Sequence, residues 1–172
     1  MTILLCTSHR PSPRTRTFCN DLATASRDFE YRQRGKTPFI VLSAQTCSTG
    51  TPRMWVVKSR FGEPNLIECF DTTQLKADKL SSLLLSRVHL RRELGLNPRN
   101  IFGGSLRIAP PEQRELKELY GLLLKSVGPP CGGGRITELR ICPSEGHAAE
   151  LDFIDRDSGA PCGPRVALKD YR

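Results

Sequence analysis

Arg10, Arg14 and Arg16 crowd the stretch TSHRPSPRTRTFCNDL, residues 7–22. A guanidinium's chemistry is forked hydrogen bonding to phosphate or carboxylate oxygens. The element that carries these cations makes them conspicuous. Ser12 is a good N-cap, Pro13 suits the first helical position, and Phe18, Leu22, Ala25 and Phe29 recur at helical spacing. A helix is therefore expected from Pro13 to Ser26 with that stripe buried. A helix start already carries a positive dipole, and each added cation costs about 0.3–1 kcal/mol at low salt. A bound phosphate would remove the defect, meeting backbone N–H groups, dipole and guanidinium forks together. The alternative is a solvated basic helix end.

A second cluster follows in YRQRGK, residues 31–36. Arg32, Arg34 and Lys36 surround Gly35, where a backbone without Cβ lets a ligand approach. Tyr31 is either a base-stacking ring or a core aromatic. Arg91 and Arg92 could extend a phosphate track, but helix and strand are both open for residues 87–96. Five phosphates neutralised on single-stranded RNA would give a salt slope of roughly −3.5.

The rest of the chain must position these groups. Residues 2–7 are strand-like. Thr37-Pro38 could cap a short helix through Cys47, which is favoured over a strand at Phe39-Ile40-Val41-Leu42. Arg53–Arg60 and Leu66–Phe70 flank Gly62-Glu63-Pro64 as a hairpin, and a helix is expected from Thr73 to Ser86 with Ala77, Leu80, Leu83 and Leu84 inward. Beyond residue 100 the grammar repeats. A strand at 101–108 precedes a helix over 111–126 that opens with Glu112 and Glu115. The link GPPCGGG follows at 128–134, then a hairpin from Arg135–Cys142 and Ala149–Asp155, and a closing strand at Arg165–Leu168. This predicts an α/β protein of two structurally similar halves from internal duplication, 1–86 and 87–172, with mixed sheets because each half holds a hairpin.

Composition limits the function classes. The 172 residues hold 26 Lys and Arg against 18 Asp and Glu, a net charge of +8 that favours polyanionic partners. The excess falls almost wholly in residues 1–36 and 87–107. Seven cysteines form no C-x-x-C pair, so no metal is expected, and they read as buried or inert thiols, with a disulfide open only for a hyperthermophile. His9, His89 and His147 are scattered; Gly132-Gly133-Gly134 lacks the Lys-Ser/Thr of a P-loop, and Gly103-Gly104 lacks a dinucleotide spacing. No enzyme activity, catalytic residue or cofactor is expected. Ile3-Leu4-Leu5-Cys6 is too short for a leader or membrane span, so the expectation is a cytoplasmic monomer with no membrane partner.

TSHRPSPRTRTFCNDL followed by YRQRGK resembles the N-terminal pattern of the Brix-domain family of ribosome-biogenesis proteins. VVKSRFGEPNLIECFD (56–71), LRREL (90–94) and GPRVAL (163–168) also look like that family. The short chain suggests a minimal archaeal form. It departs from the pattern at His9, where Arg or Lys is common, and in the apolar segment after Arg-Gly-Lys. The resemblance implies one Brix-type domain over 1–172, similar to the anticodon-binding domain of class IIa aminoacyl-tRNA synthetases. It also implies binding of ribosomal RNA or pre-rRNA in small-subunit rRNA processing and assembly, alongside other assembly proteins. The competing expectation is a protein-interaction scaffold within a ribonucleoprotein.

Overall fold

Every residue of Ile3–Thr7 is buried, because both faces of this strand are covered. Ile3 and Leu5 join the main core, while Leu4 and Cys6 join a smaller cluster with Leu42, Met54 and Val56 on the opposite face. That is why its sequence is a continuous apolar run and not an alternation. The computed structural model describes residues 2–97, 102–129 and 134–172. Parts of two expected elements, Ile101 of the strand at 101–108 and residues 130–133 of the link, with Cys131, lie outside these.

In chain order the elements are β1 (Ile3–Thr7), α1 (Pro13–Ala25), β2 (Phe29–Tyr31), α2 (Phe39–Ser48), β3 (Arg53–Arg60), β4 (Glu63–Asp71) and β5 (Asp78–His89). After a 3-10 turn at Arg91–Leu94 come β6 (Ser105–Ile108), a second 3-10 turn at Arg114–Leu116, α3 (Lys117–Val127), β7 (Ile136–Cys142), β8 (Ala149–Asp155) and β9 (Pro161–Tyr171). The nine strands of the described residues form one mixed sheet, ordered β2-β1-β3-β4-β5-β9-β8-β7-β6. In the first half β1 runs parallel to β3, which continues into the antiparallel run β3-β4-β5. In the second, β6 runs parallel to β7, which continues into β7-β8-β9. The halves therefore share one strand grammar and join through the antiparallel pair β5–β9. Among the described residues, only the first half adds β2 and α2.

The sheet curls until the residues preceding its outermost strands touch. Ser26 forms a parallel bridge to Gly104, and its hydroxyl donates to the Gly104 carbonyl at 2.8 Å. The Thr137 hydroxyl reaches the Ala25 carbonyl at 2.6 Å, and Asp28 accepts the Leu106 N–H at 2.6 Å. Gly104 is required at this closure, since a Cβ would stand 2.6 Å from the Thr137 backbone nitrogen. Inside the curl, Phe18, Leu22 and Ala25 of α1 and Leu119, Leu123 and Val127 of α3 pack on residues of both halves. Phe29 meets Trp55 and Phe153 edge-on, with ring centroids 5.1 and 6.5 Å apart, and ties the two halves at one ring.

Two expected elements are corrected. Residues 73–86 do not form a helix: from Asp78 the chain is β5, a central strand paired on both sides. Of the expected inward residues only Leu83 is fully buried; register shifts at Leu84, Leu85 and Arg87 interrupt the strand's alternation, so that Leu85 and Val88 follow it inward at uneven spacing. The helix expected from residue 111 begins only at Lys117, after the 3-10 turn, and its first turn carries Glu118. The preferred alternative at 39–47 is what forms: α2 covers the small cluster with Leu42 and leaves Ile40 exposed. The six described cysteines are free thiols. Among the described residues, no helix is long and apolar enough to cross a membrane.

Candidate nucleic-acid interface

The α1 start is closed by the chain's own groups. The Ser12 hydroxyl accepts the Thr15 N–H at 3.1 Å, the Ser12 carbonyl accepts from Arg16, and Pro13 has no N–H to offer. Little donor capacity is left there for a phosphate. Arg14 is spoken for as well. Its Nε donates to Glu63 at 2.6 Å, its Nη1 and Nη2 grip both oxygens of Glu93, and Nη2 also reaches the Val88 carbonyl at 2.9 Å. Glu93 in turn accepts the Leu90 N–H at 2.9 Å, fixing the start of the 3-10 turn. The Arg14 hydrogen bonds, foremost, hold the Glu93 carboxyl down at about 2, and the two carboxylates raise the Arg14 guanidinium in return. Arg14 thus brings negative charge to the positive helix end from within the protein. This corrects the expectation that it waits for an external phosphate.

Arg91 also leaves the expected track. It is 1% exposed, its backbone N–H donates to Asp21 at 2.8 Å, and its side chain reaches the Asn97 carbonyl at 3.1 Å. Its guanidinium lies 5.6 Å from the Phe102 ring centroid, and Arg135 approaches the same ring at 5.0 Å. Burial lowers the Arg91 pKa and raises that of Asp21. This cation is part of the interior. Its neighbour Arg92 is exposed.

What remains is a different grouping. His9, Arg10, Arg16, Gln33, Gly35 and Lys36 line an open cleft of about 550 Å³ between the α1 start and the loop after β2. Arg14 and Arg16, two positions apart on α1, point to different sides, and only Arg16 faces the cleft. Arg10 holds a positive φ of 57°, uncommon for a residue with a side chain, at the corner between β1 and α1. Gly35 has φ of 58°, and a Cβ there would meet nothing within 4 Å, so it serves the turn of the loop. Among the described residues no carboxylate lines this cleft, and none pairs with Arg10, Arg16 or Lys36.

The other expected cations lie around the cleft's margin. Arg32 pairs with Glu30 at 2.9 Å in an exposed contact of small energetic weight. Arg34 donates to the Thr37 carbonyl at 2.8 Å and faces a neighbouring depression with Ser8, Phe39 and Lys58. It slightly offsets the burial that pushes the nearby Cys6 thiol up to about 12. Tyr31 packs against the main core.

No protein-family model matches the chain. A probable Brix domain-containing ribosomal biogenesis protein of Aeropyrum pernix is 29% identical over 171 residues, spanning 95% of this chain and 93% of that protein. The crystal structure of a probable ribosomal biogenesis protein from Aeropyrum pernix K1 superposes with a TM-score of 0.85 at 26% identity, covering 98% of this chain and 96% of that one. The archaeal Imp4-like protein Mil shares the fold with a TM-score of 0.64 at 21% identity, over 98% of both chains. In sequence and in fold, over almost its whole length, this chain is similar to a probable Brix domain-containing ribosomal biogenesis protein.

Proposed function

We propose that this protein acts in ribosome biogenesis as a non-catalytic RNA-binding module, holding pre-rRNA during small-subunit processing and assembly. The observation that carries the reading is the cleft in which Arg10, Arg16 and Lys36 stand together without a carboxylate. Three uncompensated cations on one concave face bind phosphate oxygens and release counterions. Phosphate contacts set position and carry little sequence information, so the RNA segment is selected by other contacts or by partner proteins. The names of the homologues, ribosome-biogenesis proteins and not enzymes, support the same conclusion.

The test is equilibrium binding of purified protein to ribosomal RNA across a salt series. Three phosphates on single-stranded RNA give a slope near −2 in log affinity against log salt, about a twentyfold loss between about 50 and 200 mM. This is shallower than the five phosphates of Arg10, Arg14, Arg16, Arg34 and Lys36 would give, because Arg14 is engaged internally and Arg34 faces a neighbouring depression. A salt-insensitive complex refutes the reading. The scaffold reading has one observation in its favour: Ile40 is 72% and Val41 43% exposed on the outer side of α2, an apolar face beside the basic loop. Binding to RNA only after a second assembly protein is added would favour it.

A further inference from the structure

The turn between β3 and β4 has two residues, Phe61 and Gly62, with φ of 52° and 85°. Two positive φ values in a two-residue hairpin loop specify a type I′ turn, whose first position is normally Asn, Asp or Gly. A bulky aromatic ring there is strained, and packing does not compensate, since Phe61 is 92% exposed. Its described contact is the Arg60 guanidinium, 5.1 Å from the ring centroid. The hairpin tip is nevertheless held in place. Arg60 pairs with Glu63 across the ladder, and Glu63 binds Arg14 at 2.6 Å on the first turn of α1. The same turn presents Arg16 to the basic cleft on its other side. The α1 start therefore stands between a phosphate-binding cleft and a fixed, outward-facing aromatic ring beside a cation.

Resting on the RNA-binding reading, we propose that Phe61, with Arg60, is a stacking platform for an unpaired base of the RNA strand whose phosphates occupy the cleft. The chemistry is sequence-tolerant, because every base has a π-face, and it selects single strands, because paired bases are stacked already. Arg60 adds a charge that can face the ring and the adjoining phosphate. The Arg14–Glu63–Glu93 cluster then acquires a positioning role: it sets the distance between ring and cleft.

The test compares the wild type with Phe61→Ala, Phe61→Trp and Arg16→Ala on a labelled single-stranded oligouridylate and on an RNA duplex of equal length, by fluorescence anisotropy. Phe61→Ala is expected to weaken the oligouridylate complex about five- to hundredfold, with an unchanged salt slope and unchanged duplex affinity. Phe61→Trp is expected to retain affinity, its indole emission quenched on adding oligouridylate. Full affinity in Phe61→Ala with a loss in Arg16→Ala overturns the stacking platform and leaves the cleft standing. Unchanged affinity in both variants, or no binding by the wild type, overturns both. Equal losses on oligouridylate and duplex, or a loss confined to binding of an assembly protein, also overturn base stacking.

Discussion

In the first basic stretch, residues 1–36, the corner after β1, the start of α1 and the loop after β2 lay Arg10, Arg16 and Lys36 around an open cleft. In the second, residues 87–107, the chain leaves the central strand β5 and turns at Arg91–Leu94 beside Asp21 of α1. Asp21 of α1, the Asn97 carbonyl and the Phe102 ring are waiting there for Arg91, which becomes interior. Each stretch carries half of the chain's excess charge, yet the first gathers three cations around one cleft, whereas the second buries Arg91 and leaves Arg87, Arg92 and Arg107 exposed and apart from that cleft. Density of cations along a sequence is thus a poor guide to a binding surface. What decides is whether neighbouring elements supply acceptors.

Arg91→Met puts this contrast under the greatest strain. It removes the side-chain bond to the Asn97 carbonyl and one of the charges acting on Asp21, and leaves Phe102 with one guanidinium fewer, in a place shielded from water. A loss of about 3 kcal/mol in urea unfolding is expected, with the salt slope for RNA unchanged in the folded protein. A stable variant with a flatter salt slope would erase the distinction between the two stretches. Arg14→Ala should cost about 1–3 kcal/mol, since it breaks charge-assisted bonds to two carboxylates and a carbonyl and leaves the RNA salt slope alone. The same pair predicts a pH dependence. The folded-state pKa of Glu93 is depressed to about 2, so its contribution is complete above the ordinary glutamate range and disappears as the pH falls through about 2. Asp155, held at about 2 chiefly by Arg135, behaves alike. Melting temperature should therefore fall on acidification below about pH 4.5, less steeply in Arg14→Ala.

Much of the fold was legible because its elements carry local punctuation. Ser12-Pro13 starts α1 where expected, and the apolar stripe Phe18, Leu22 and Ala25 is buried. The second hairpin stands at its expected strands, and the first forms but turns at Phe61-Gly62, with Glu63 and Pro64 already in β4. β5 was not legible, because Ala77, Leu80, Leu83 and Leu84 stand at helical spacing in the sequence while bulges shift the positions actually buried off period two. At the site, Arg10, Arg16 and Lys36 do come together, whereas the engagement of Arg14 depends on Glu63 and Glu93, which lie 49 and 79 residues away in sequence. No local pattern reveals a pairing at that separation. Phe61 was missed for another reason: in FGEP the Gly and Pro announced the turn, but not that an aromatic would occupy its left-handed first position.

The Arg10→Ala/Arg16→Ala pair is the counterpart of Arg91→Met. Both side chains face solvent in the cleft, so stability should change by less than about 0.5 kcal/mol. The salt slope should become shallower by about 1.4, from the loss of two phosphate contacts on single-stranded RNA. A destabilised double variant with an unaltered slope would move these arginines into the structural class with Arg91.

The smallest effect separates selection for function from selection for folding at the hairpin tip. Asn adopts positive φ at less cost than Phe and is a preferred first residue of a type I′ turn. Phe61→Asn also removes a ring that, at 92% exposure, buries little on folding. Only the contact with Arg60 opposes the change, and an exposed cation–π pair contributes about 0.5–1 kcal/mol. Relief of a left-handed side chain is worth about 1–2 kcal/mol, so the balance favours a gain of up to about 1 kcal/mol. Chemical denaturation should show a higher midpoint with an unchanged slope, accompanied by weaker binding to oligouridylate. A more stable protein that binds less well is the pattern left when a residue is kept for its partner at the expense of the fold. A destabilised Phe61→Asn would mean that the ring holds the hairpin together through Arg60, and the tip would then belong with Arg91 among the structural cations and their contacts.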